Sequence, residues 1–466
     1  MNATPTGDGV LNSPSSATSS VSRRSVLKLG AAGLALGASS ALLTACGAQS
    51  KPITGAGGAK EIEFWNFYGP SPKANPQSEW FVKIVDEWNS SHDVKVKLRY
   101  IANADYISGN VLQSAFASGK GPDIFLLSPG DFLRYYNGGV LQDLTPHIKK
   151  DVVADFLPGT LDTRKVGDKI YAVPMESEPL ALYYSKSAFA EVGITDANLP
   201  KTWDEVLTVA KQLTNGKRFG LLFETTPGFY QNFTWYPFMW QGHGAPVNGK
   251  KATFDSDPVH AALKFWGDSI SSGVSPRKPL GNGGGDAPSN LASGYVAMQQ
   301  TGIWSVADLR QQAPNFQYGI MPLPTPPGGK PTSIMGGWAF TANAKGANPE
   351  AAAEFIAWAL ASSSKDSIER GRVWDTVAKS DIPVRQSVLD AAKAKGAFDD
   401  PNMKFFADVV APTGRGEPRY PPQIIKAIED AIQAVQLGGQ PASAAAATAQ
   451  ATISQFISTY NGAPIL

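Results

Sequence analysis

Polar and apolar positions alternate along the chain in patterns that predict strands and helices in turn. Residues 61–65 and 94–100 alternate as half-buried strands do. Residues 124–127 form a continuous apolar run, which is typical of a parallel strand covered on both faces. A helix that begins near Ser78 is expected between the first two strands, with one apolar face made of Phe81, Ile84, Val85 and Trp88. This order predicts a parallel sheet with right-handed crossovers, and therefore an α/β fold.

Further local signals follow in the second part of the chain. Gly167-Asp168 lies between residues 163–166 and residues 170–173 and predicts a hairpin. Thr202 and Glu205 have the spacing of a capping box at a helix start. Asn348-Pro349 opens another helix, and the alanine-rich residues 441–450 predict a helix by propensity. The glycine-rich segment 281–289 is expected to be a loop. It follows no strand, which argues against a phosphate cradle.

The first 60 residues have the pattern of an export signal followed by a tether. Two arginines at 23 and 24 precede the apolar stretch 29–43, which is too short for a transmembrane helix and resembles a signal-peptide core. Leu43-Thr44-Ala45-Cys46 resembles a bacterial lipobox, in which the cysteine takes a lipid. We expect a twin-arginine-like signal peptide at 1–45, lipidation at Cys46 and a flexible tether at 46–60. The mature protein would then be anchored to the outer face of the cytoplasmic membrane.

The composition excludes several classes of protein. Lys and Arg number 41 against 40 Asp and Glu, so that the net charge is +1 and no polycation for nucleic acid is present. Charged residues are 17% of the chain, against about 25% in typical proteins, while aromatic residues are 10%. Few charges and many aromatic rings favour a neutral, hydroxyl-rich ligand. One cysteine and four scattered histidines offer no zinc motif, so we expect neither metal nor cofactor.

Common catalytic motifs are missing from the sequence. It contains no H-E-x-x-H, no G-x-S-x-G and no Walker A loop. Glu176 and Glu178 are a carboxylate pair of the kind that a glycosidase needs, but no spacing rule distinguishes them from other pairs. We therefore expect a protein that is not an enzyme and has no catalytic residues. A surface glycoside hydrolase stays open as an alternative.

Several short blocks occur in one order along the chain. They are residues 118–124, 136–145, 171–174, 182–186, 192–194, 200–205, 294–304, 322–324, 336–338 and 348–361. Together they resemble the extracellular solute-binding proteins of carbohydrate-type ABC importers, over about residues 61 to 375. Each block is weak alone, and the order and spacing make the resemblance specific. Ser185 departs from the asparagine that the family usually has in its Tyr-Asn-Lys.

The resemblance implies a two-lobed, periplasmic-binding-protein-like α/β fold. A ligand cleft lies between the lobes of such proteins, and hinge strands cross from one lobe to the other. Lobe one is expected at 61–165 and 315–365, and lobe two at 166–314 and 366–466. The crossings would lie near residues 164–170, near Asn315 and near residues 364–372.

The resemblance also implies a function. The protein would capture a sugar, in particular an oligosaccharide, and deliver it as a monomer to the permease subunits of an ABC importer in the membrane. Aromatic rings would cover the apolar face of the sugar, and charged side chains would hydrogen-bond its hydroxyl groups. Three alternatives stay open: a glycerol-phosphodiester or other polyol-binding protein of the same fold, the surface hydrolase, and a receptor coupled to a sensor kinase.

The candidate ligand-binding residues follow from the family and from the rule that ligands meet the carboxyl ends of strands. Those that follow strands or lie in the family's glycine-flanked blocks are Asn66, Phe67, Tyr68, Ser128, Asp131, Glu176, Trp304, Gly337 and Trp338. The aromatic-rich segment 229–240 is expected to be mostly core with one or two rings exposed, of which Trp235 and Tyr236 are the candidates. Trp374 and Arg415 are candidates in the C-terminal segment.

Overall fold

A computed structural model describes residues 60–70, 75–107 and 110–466. The expected signal peptide, Cys46 and all but the last residue of the tether lie outside the described residues. Within them, the strands are β1 (Glu61–Asn66), β2 (Lys95–Tyr100), β3 (Ile124–Leu127), β4 (Lys165–Val166), β5 (Lys169–Ile170), β6 (Val173–Pro174), β7 (Leu180–Ser185), β8 (Val247–Asn248), β9 (Lys251–Ala252), β10 (Met298–Gly302), β11 (Tyr318–Met321), β12 (Ser333–Met335), β13 (Ala339–Ala342) and β14 (Gly414–Gly416).

The helices connect and cover these strands. They are α1 (Pro76–Ser91), α2 (Asn103–Ile107), α3 (Asn110–Ala117), α4 (Phe132–Asn137), α5 (Lys150–Asp155), α6 (Lys186–Glu191), α7 (Trp203–Leu213), α8 (Phe229–Gln241), α9 (Asp257–Ser271), α10 (Ser305–Gln312), α11 (Pro349–Leu360), α12 (Lys365–Val373), α13 (Gln386–Ala394), α14 (Pro401–Phe405), α15 (Pro422–Gln436) and α16 (Ala442–Thr459).

The first lobe is built on a five-stranded sheet in the order β2-β1-β3-β13-β6. β1 is parallel to β2 and β3, which confirms the predicted strand–helix–strand pattern at the start of the folded chain. β13 runs antiparallel to β3 and β6, so the sheet is mixed rather than purely parallel. The apolar run of β3 is buried throughout, because β3 lies in the centre of this sheet.

The second lobe has a three-stranded sheet in the order β10-β7-β11, in which both pairs are antiparallel. This sheet does not repeat the parallel pattern of the first lobe. Helices α7, α8, α9, α15 and α16 contribute most of the buried residues of its main core. The fold is therefore the two-lobed α/β architecture that the sequence predicts, with a different sheet in each lobe.

The lobe boundaries differ from the expected ones. The first core takes its residues mainly from 62–175 and 339–384, and the second lobe takes its own from 180–334 and 403–453. The segment 318–334 belongs to the second lobe, because β11 pairs with β7 there. Trp374 belongs to the first core. The chain thus crosses near residues 176–179, 335–338 and 385–402, later than expected each time.

Most of the local signals are confirmed. Thr202 and Glu205 form the capping box of α7, and Asn348 caps α11. The hairpin at Gly167 consists of β4 and β5, and the alanine-rich segment is part of α16. The expected start of α1 is wrong: the cap is Asn75, whose Oδ1 accepts from two backbone N–H groups, and Ser78 is buried inside the first turn.

Candidate functional site

A cavity of about 440 Å³ lies where the chain crosses between the lobes. Both lobes contribute side chains to it, and apolar and polar groups are mixed along its wall. The lining residues are Phe67, Tyr68, Gln77, Asn103, Ala104, Ile107, Ser128, Glu178, Glu224, Thr226, Pro227, Gly228, Phe229, Tyr230, Phe233, Asn282, Gly283, Gly285, Asp286, Trp304, Asp308, Gln312, Gly337, Trp338, Lys379 and Glu417.

The crossing segments are held together by backbone pairing. Ser177 bridges to Ile382, and Pro179 bridges to Met335. Glu178 and Gly336 exchange two long backbone hydrogen bonds, of 3.3 and 3.4 Å. Because these segments carry Glu178, Lys379 and Trp338, the pairing fixes polar and aromatic side chains at the floor of the cavity.

Gly337 occupies a position that favours glycine. Its φ of +118° is a conformation that side chains with a Cβ rarely adopt, and a Cβ there would lie 2.2 Å from the carbonyl oxygen of Glu176. The carbonyl of Gly337 accepts from the guanidinium of Arg164 at 2.8 Å. The backbone N–H of Trp338 donates to Glu176 Oε1 at 2.7 Å. Glu176 and Arg164 therefore position the Trp338 backbone from behind the cavity.

Aromatic rings from both lobes face the cavity. On the first lobe, the ring of Trp338 contacts that of Phe67 at a centroid distance of 4.8 Å. On the second lobe, Trp304, Tyr230 and Phe233 form a group with centroid distances of 6.0 to 6.3 Å. Flat apolar surfaces of this kind suit the C–H faces of sugar rings.

Lys379 lies buried among carboxylates at the floor of the cavity. Its Nζ donates to Glu178, and lies 3.0 Å from Asp381 Oδ2 and 3.9 Å from Glu176 Oε1. Burial lowers the pKa of Lys379, but the three carboxylates outweigh that effect and raise it well above its usual range. Glu176, Glu178 and Asp381 are grouped as metal ligands could be, yet the ammonium of Lys379 already supplies the positive charge there.

Four other carboxyl groups line the cavity. Burial raises the pKa of Glu417 to about 8 and that of Asp308 to about 7. Glu417 Oε1 accepts from the backbone N–H of Gly130 at 3.1 Å. Glu224 accepts from three backbone N–H groups, including that of Gly284, and Asp286 accepts from two. Glu224 and Asp286 therefore hold the glycine-rich loop 281–289, which leaves little room for a phosphate there.

Six of the expected ligand-binding residues line the cavity. They are Phe67, Tyr68, Ser128, Trp304, Gly337 and Trp338. Two more lie directly behind the cavity and hydrogen-bond to the backbone of residues that line it. Glu176 is fully buried and accepts from Trp338 and Trp374. Asn66 is also buried, and its Oδ1 accepts from the backbone N–H of Tyr68 at 3.0 Å.

Five expected ligand-binding residues lie elsewhere, and the structure corrects these expectations. Trp235 and Tyr236 are buried in the second core, because they lie on the face of α8 that packs away from the cavity. Trp374 is buried in the first core and donates to Glu176. Asp131 pairs with Arg134 at 3.0 Å, and the guanidinium of Arg415 stacks on Trp240 at 4.5 Å.

Several lining residues were not predicted from the sequence. Phe229, Tyr230 and Phe233 come from the start of α8, so the rings exposed in the aromatic-rich segment are its first ones. Asp308 and Gln312 lie four and eight residues after Trp304, a spacing on one face of α10 that could have identified them. Lys379 and Glu417 reach the cavity from the C-terminal part of the chain, and no local signal marks them.

No helix among the described residues is long and apolar enough to cross a membrane. The model of the family "Bacterial extracellular solute-binding protein" matches residues 74–366, more than half of the chain. The "Galactooligosaccharide-binding protein" of Bacillus subtilis is 27% identical over 329 residues, which are 67% of this chain and 72% of the relative. The "Multiple sugar-binding protein" of Streptococcus mutans is 23% identical over 71% of this chain and 77% of the relative.

Solved structures show the same fold. A solute-binding protein of an ABC transporter from Thermotoga lettingae, bound with α-D-tagatose, has a TM-score of 0.73 at 23% identity. The similarity covers 86% of this chain and all of that one. The cyclic α-maltosyl-1,6-maltose binding protein of Arthrobacter globiformis has a TM-score of 0.66 at 23% identity, over 86% of this chain and 99% of that one.

Proposed function

The chain belongs to the family of bacterial extracellular solute-binding proteins, and from this premise we propose that it binds an oligosaccharide in the interlobe cavity and delivers it to an ABC importer. The observation that carries the proposal is the cavity itself, in which Trp338 of one lobe and Trp304 of the other supply aromatic surfaces beside buried carboxyl groups. The similar proteins named above for galactooligosaccharides and multiple sugars support a sugar as the ligand.

The mechanism is capture and release without chemical change. Each aromatic surface would cover the apolar face of a sugar ring, a contribution of about 0.5–1.5 kcal/mol beyond area burial if values for aromatic pairs apply. The polar groups of the lining would hydrogen-bond the hydroxyl groups, at about 1.5–3 kcal/mol for each bond to a charged group. A few such contacts give micromolar affinity, about −8 kcal/mol, which permits transfer to a permease.

The cavity disfavours the anionic alternative. A glycerol phosphodiester would need cationic side chains around its phosphate, in particular a pair of arginines. Among the described residues, the lining has no arginine, and its lysine is already paired with carboxylates. We therefore propose a ligand without negative charge.

We also propose where the protein works. The family description places its members outside the cell. Export by the signal at 1–45 and lipidation of Cys46 would anchor this chain to the outer face of the cytoplasmic membrane, with residues 46–60 as the tether. There it would act as a monomer that presents the loaded cavity to the permease subunits. A receptor for a sensor kinase would bind the same ligand, and deletion of the permease separates the two roles, since only import requires it.

Ligand-induced stabilisation tests the proposed function. The soluble chain without residues 1–46 would be screened against mono- to tetrasaccharides, sugar alcohols and glycerol phosphates by tryptophan fluorescence and thermal unfolding. A ligand at 100 times its dissociation constant adds about 2.7 kcal/mol to the free energy of unfolding. We expect saturable stabilisation by one class of sugar, recovered unchanged by chromatography. Stabilisation only by glycerol phosphates would contradict the proposal, and a consumed sugar would favour the hydrolase.

A further inference from the structure

The charges that line the cavity are unbalanced. Five carboxyl groups face it, those of Glu178, Glu224, Asp286, Asp308 and Glu417, against the single ammonium of Lys379. That ammonium is shared between Glu178 and Asp381, with Glu176 close by. Glu417 mostly keeps its proton at pH 7, because its pKa is about 8, and the described lining has no positive charge left for the other carboxylates.

Arg164 does not remove the imbalance. Its guanidinium lies behind the cavity, where it donates to the carbonyl groups of Thr160 and Gly337. It lowers the pKa of Glu417 only in part, since burial still raises that pKa to about 8, and Asp131 and Glu178 add to the increase. No ion pair within 4.0 Å joins Arg164 to a carboxylate in the described part of the chain.

Asp308 is the least satisfied of these carboxyl groups. The others accept from backbone N–H groups or from Lys379, whereas Asp308 makes no hydrogen bond or ion pair with the described residues through its side chain. Burial raises its pKa to about 7, with Asp286 and Glu178 adding to the increase and Lys379 opposing it. Asp308 lies one helical turn after Trp304 on α10, and both line the cavity.

A second polar group also lacks a partner. The hydroxyl of Ser128 lines the cavity, its residue is 6% exposed, and Oγ has no hydrogen-bond partner among the described residues. It lies beside Gly130 and Glu417, since a Cβ on Gly130 would be 2.5 Å from Glu417 Oε1 and 3.5 Å from Ser128 Oγ. A buried polar atom without a partner is costly, so a ligand donor or acceptor is expected at this corner too.

We propose that the natural ligand is an aminated sugar whose protonated amine pairs with Asp308 while its ring covers Trp304. An ammonium supplies both the positive charge and the hydrogen-bond donors that this part of the lining lacks. The indole face next to Asp308 also attracts a cation. A neutral sugar would satisfy the hydrogen bonds and leave the carboxylate of Asp308 without an opposite charge. The inference rests on the proposed function and specifies the class of sugar.

Matched sugars test this inference. Calorimetric titration would compare two sets of three sugars. The first set is cellotriose, the chitosan trimer and the chitin trimer, which carry a hydroxyl, an amine and an acetamide on one skeleton. The second set is the same three forms of galactose. In one of the two sets, we expect the aminated sugar to bind at least tenfold more tightly at pH 7 than the hydroxyl and acetamido sugars of that set. An increase in salt from 20 to 500 mM should weaken the binding of the amine several-fold and leave any neutral sugar unaffected.

A variant and a matched control locate the effect. Asp308→Asn should reduce the preference for the amine to less than threefold. Asp93→Asn, which removes an exposed carboxylate that does not line the cavity, should leave the preference unchanged. Thermal unfolding of both variants shows whether they fold, and the salt series on the unmodified chain does not depend on any variant. Full preference in Asp308→Asn would overturn the role of Asp308.

The failure of this inference is distinguishable from failure of the proposed function. If hydroxyl or acetamido sugars bind as tightly as the amines or more tightly, the aminated ligand is wrong and the sugar-binding function stands. If spermidine binds and no sugar does, both are wrong, because the cavity then recognises a cation without a sugar ring.

Discussion

At the scale of single residues, the aromatic rings of the cavity and those of the cores have different environments. Trp338 is half-buried and faces the cavity, whereas Trp235 is fully buried in the second core. Both are tryptophans in apolar sequence surroundings. The sequence marks Trp338 as a cavity residue through its neighbours Gly336 and Gly337, because small residues allow a ligand to approach. Trp235 lies on α8 and has no such neighbours.

Replacement of Trp338 by alanine should weaken ligand binding. The substitution removes an aromatic surface from the cavity wall, so we expect a loss of about 1–3 kcal/mol, or roughly 5- to 150-fold in affinity. Calorimetric titration with the ligand identified in the screen measures this loss of affinity. Trp358→Ala is the matched control, since Trp358 stacks under Arg370 in the first lobe and does not line the cavity. Equal affinity losses in both variants would contradict a ligand contact at Trp338.

Glu417 should make the stability of the folded chain depend on pH. Burial raises its pKa to about 8 from an ordinary value of 4.5, so the folded state holds a proton that the unfolded state releases between these values. The free energy of unfolding should therefore fall as the pH rises from about 4.5 to about 8. Glu417→Gln keeps the acceptor for Gly130 and has no charge to bury. We expect this variant to be more stable than the parent at pH 8 and equal to it near pH 4.5.

Urea unfolding at several pH values checks this expectation. Glu429→Gln is a suitable control, because its pairing with Lys426 lies on α15 outside the cavity lining. Asp308 and Glu176 also have raised pKa values, so the stability of the Glu417→Gln variant should keep part of its dependence on pH. A Glu417→Gln chain that keeps the full pH dependence would contradict the assignment.

At the scale of elements, the sequence predicts helices and strands better than it predicts their partners. The capping box of α7 and the alternation in β1 and β2 are local signals, and the structure confirms them. The partners of β7 and β13 are not local, since β11 lies more than 130 residues after β7 and pairs with it antiparallel. This long-range pairing is why the lobe boundaries fall later than the family resemblance implies.

The residues of the cavity were likewise predictable only where a local sequence signal marks them. Residues next to a recognised motif, such as Gly337 and Trp338, were predicted from sequence, because the motif and the side chain lie together. Lys379 of the first lobe and Glu417 of the second lobe lie on segments that are far along the chain from the other lining residues. Their role depends on the pairing of Ser177 with Ile382 and of β12 with β14, which no short pattern encodes.

Lys379 should stabilise the crossing segments by balancing their carboxylates. Lys379→Met leaves Glu178, Asp381 and Glu176 buried without a positive charge, and breaking a buried pair in this way costs about 3–5 kcal/mol. Denaturant unfolding at pH 7 measures the loss. The loss should shrink at pH 5, because burial raises the pKa values of Glu176 and Asp381 and these two carboxyl groups then take up protons. The double variant Lys379→Met with Asp381→Asn should recover part of the lost stability. A loss of stability that does not change with pH would contradict the proposed charge balance.

At the scale of the whole molecule, we expect ligand binding and membrane anchoring to belong to different parts of the chain. The described residues form the two lobes and the cavity, and the cavity depends on both lobes because Trp338 and Trp304 come from different cores. We propose that export and attachment depend on the first 46 residues, none of which is among the described residues that line the cavity. The two properties should therefore be separable by mutation.

Cys46→Ser should release the protein from the membrane without a change in ligand binding. Cys46 is the single cysteine of the chain, so the substitution removes the expected site of lipid attachment. Stable anchoring takes more than one acyl chain, and without lipid the tether has no apolar segment to replace it. We expect the parent in the membrane fraction and the variant in the medium or periplasm by immunoblot. Replacement of Arg23 and Arg24 by lysine should instead keep the protein in the cytoplasm, since it disables export. A Cys46→Ser chain that stays with the membrane would show that the anchor lies elsewhere.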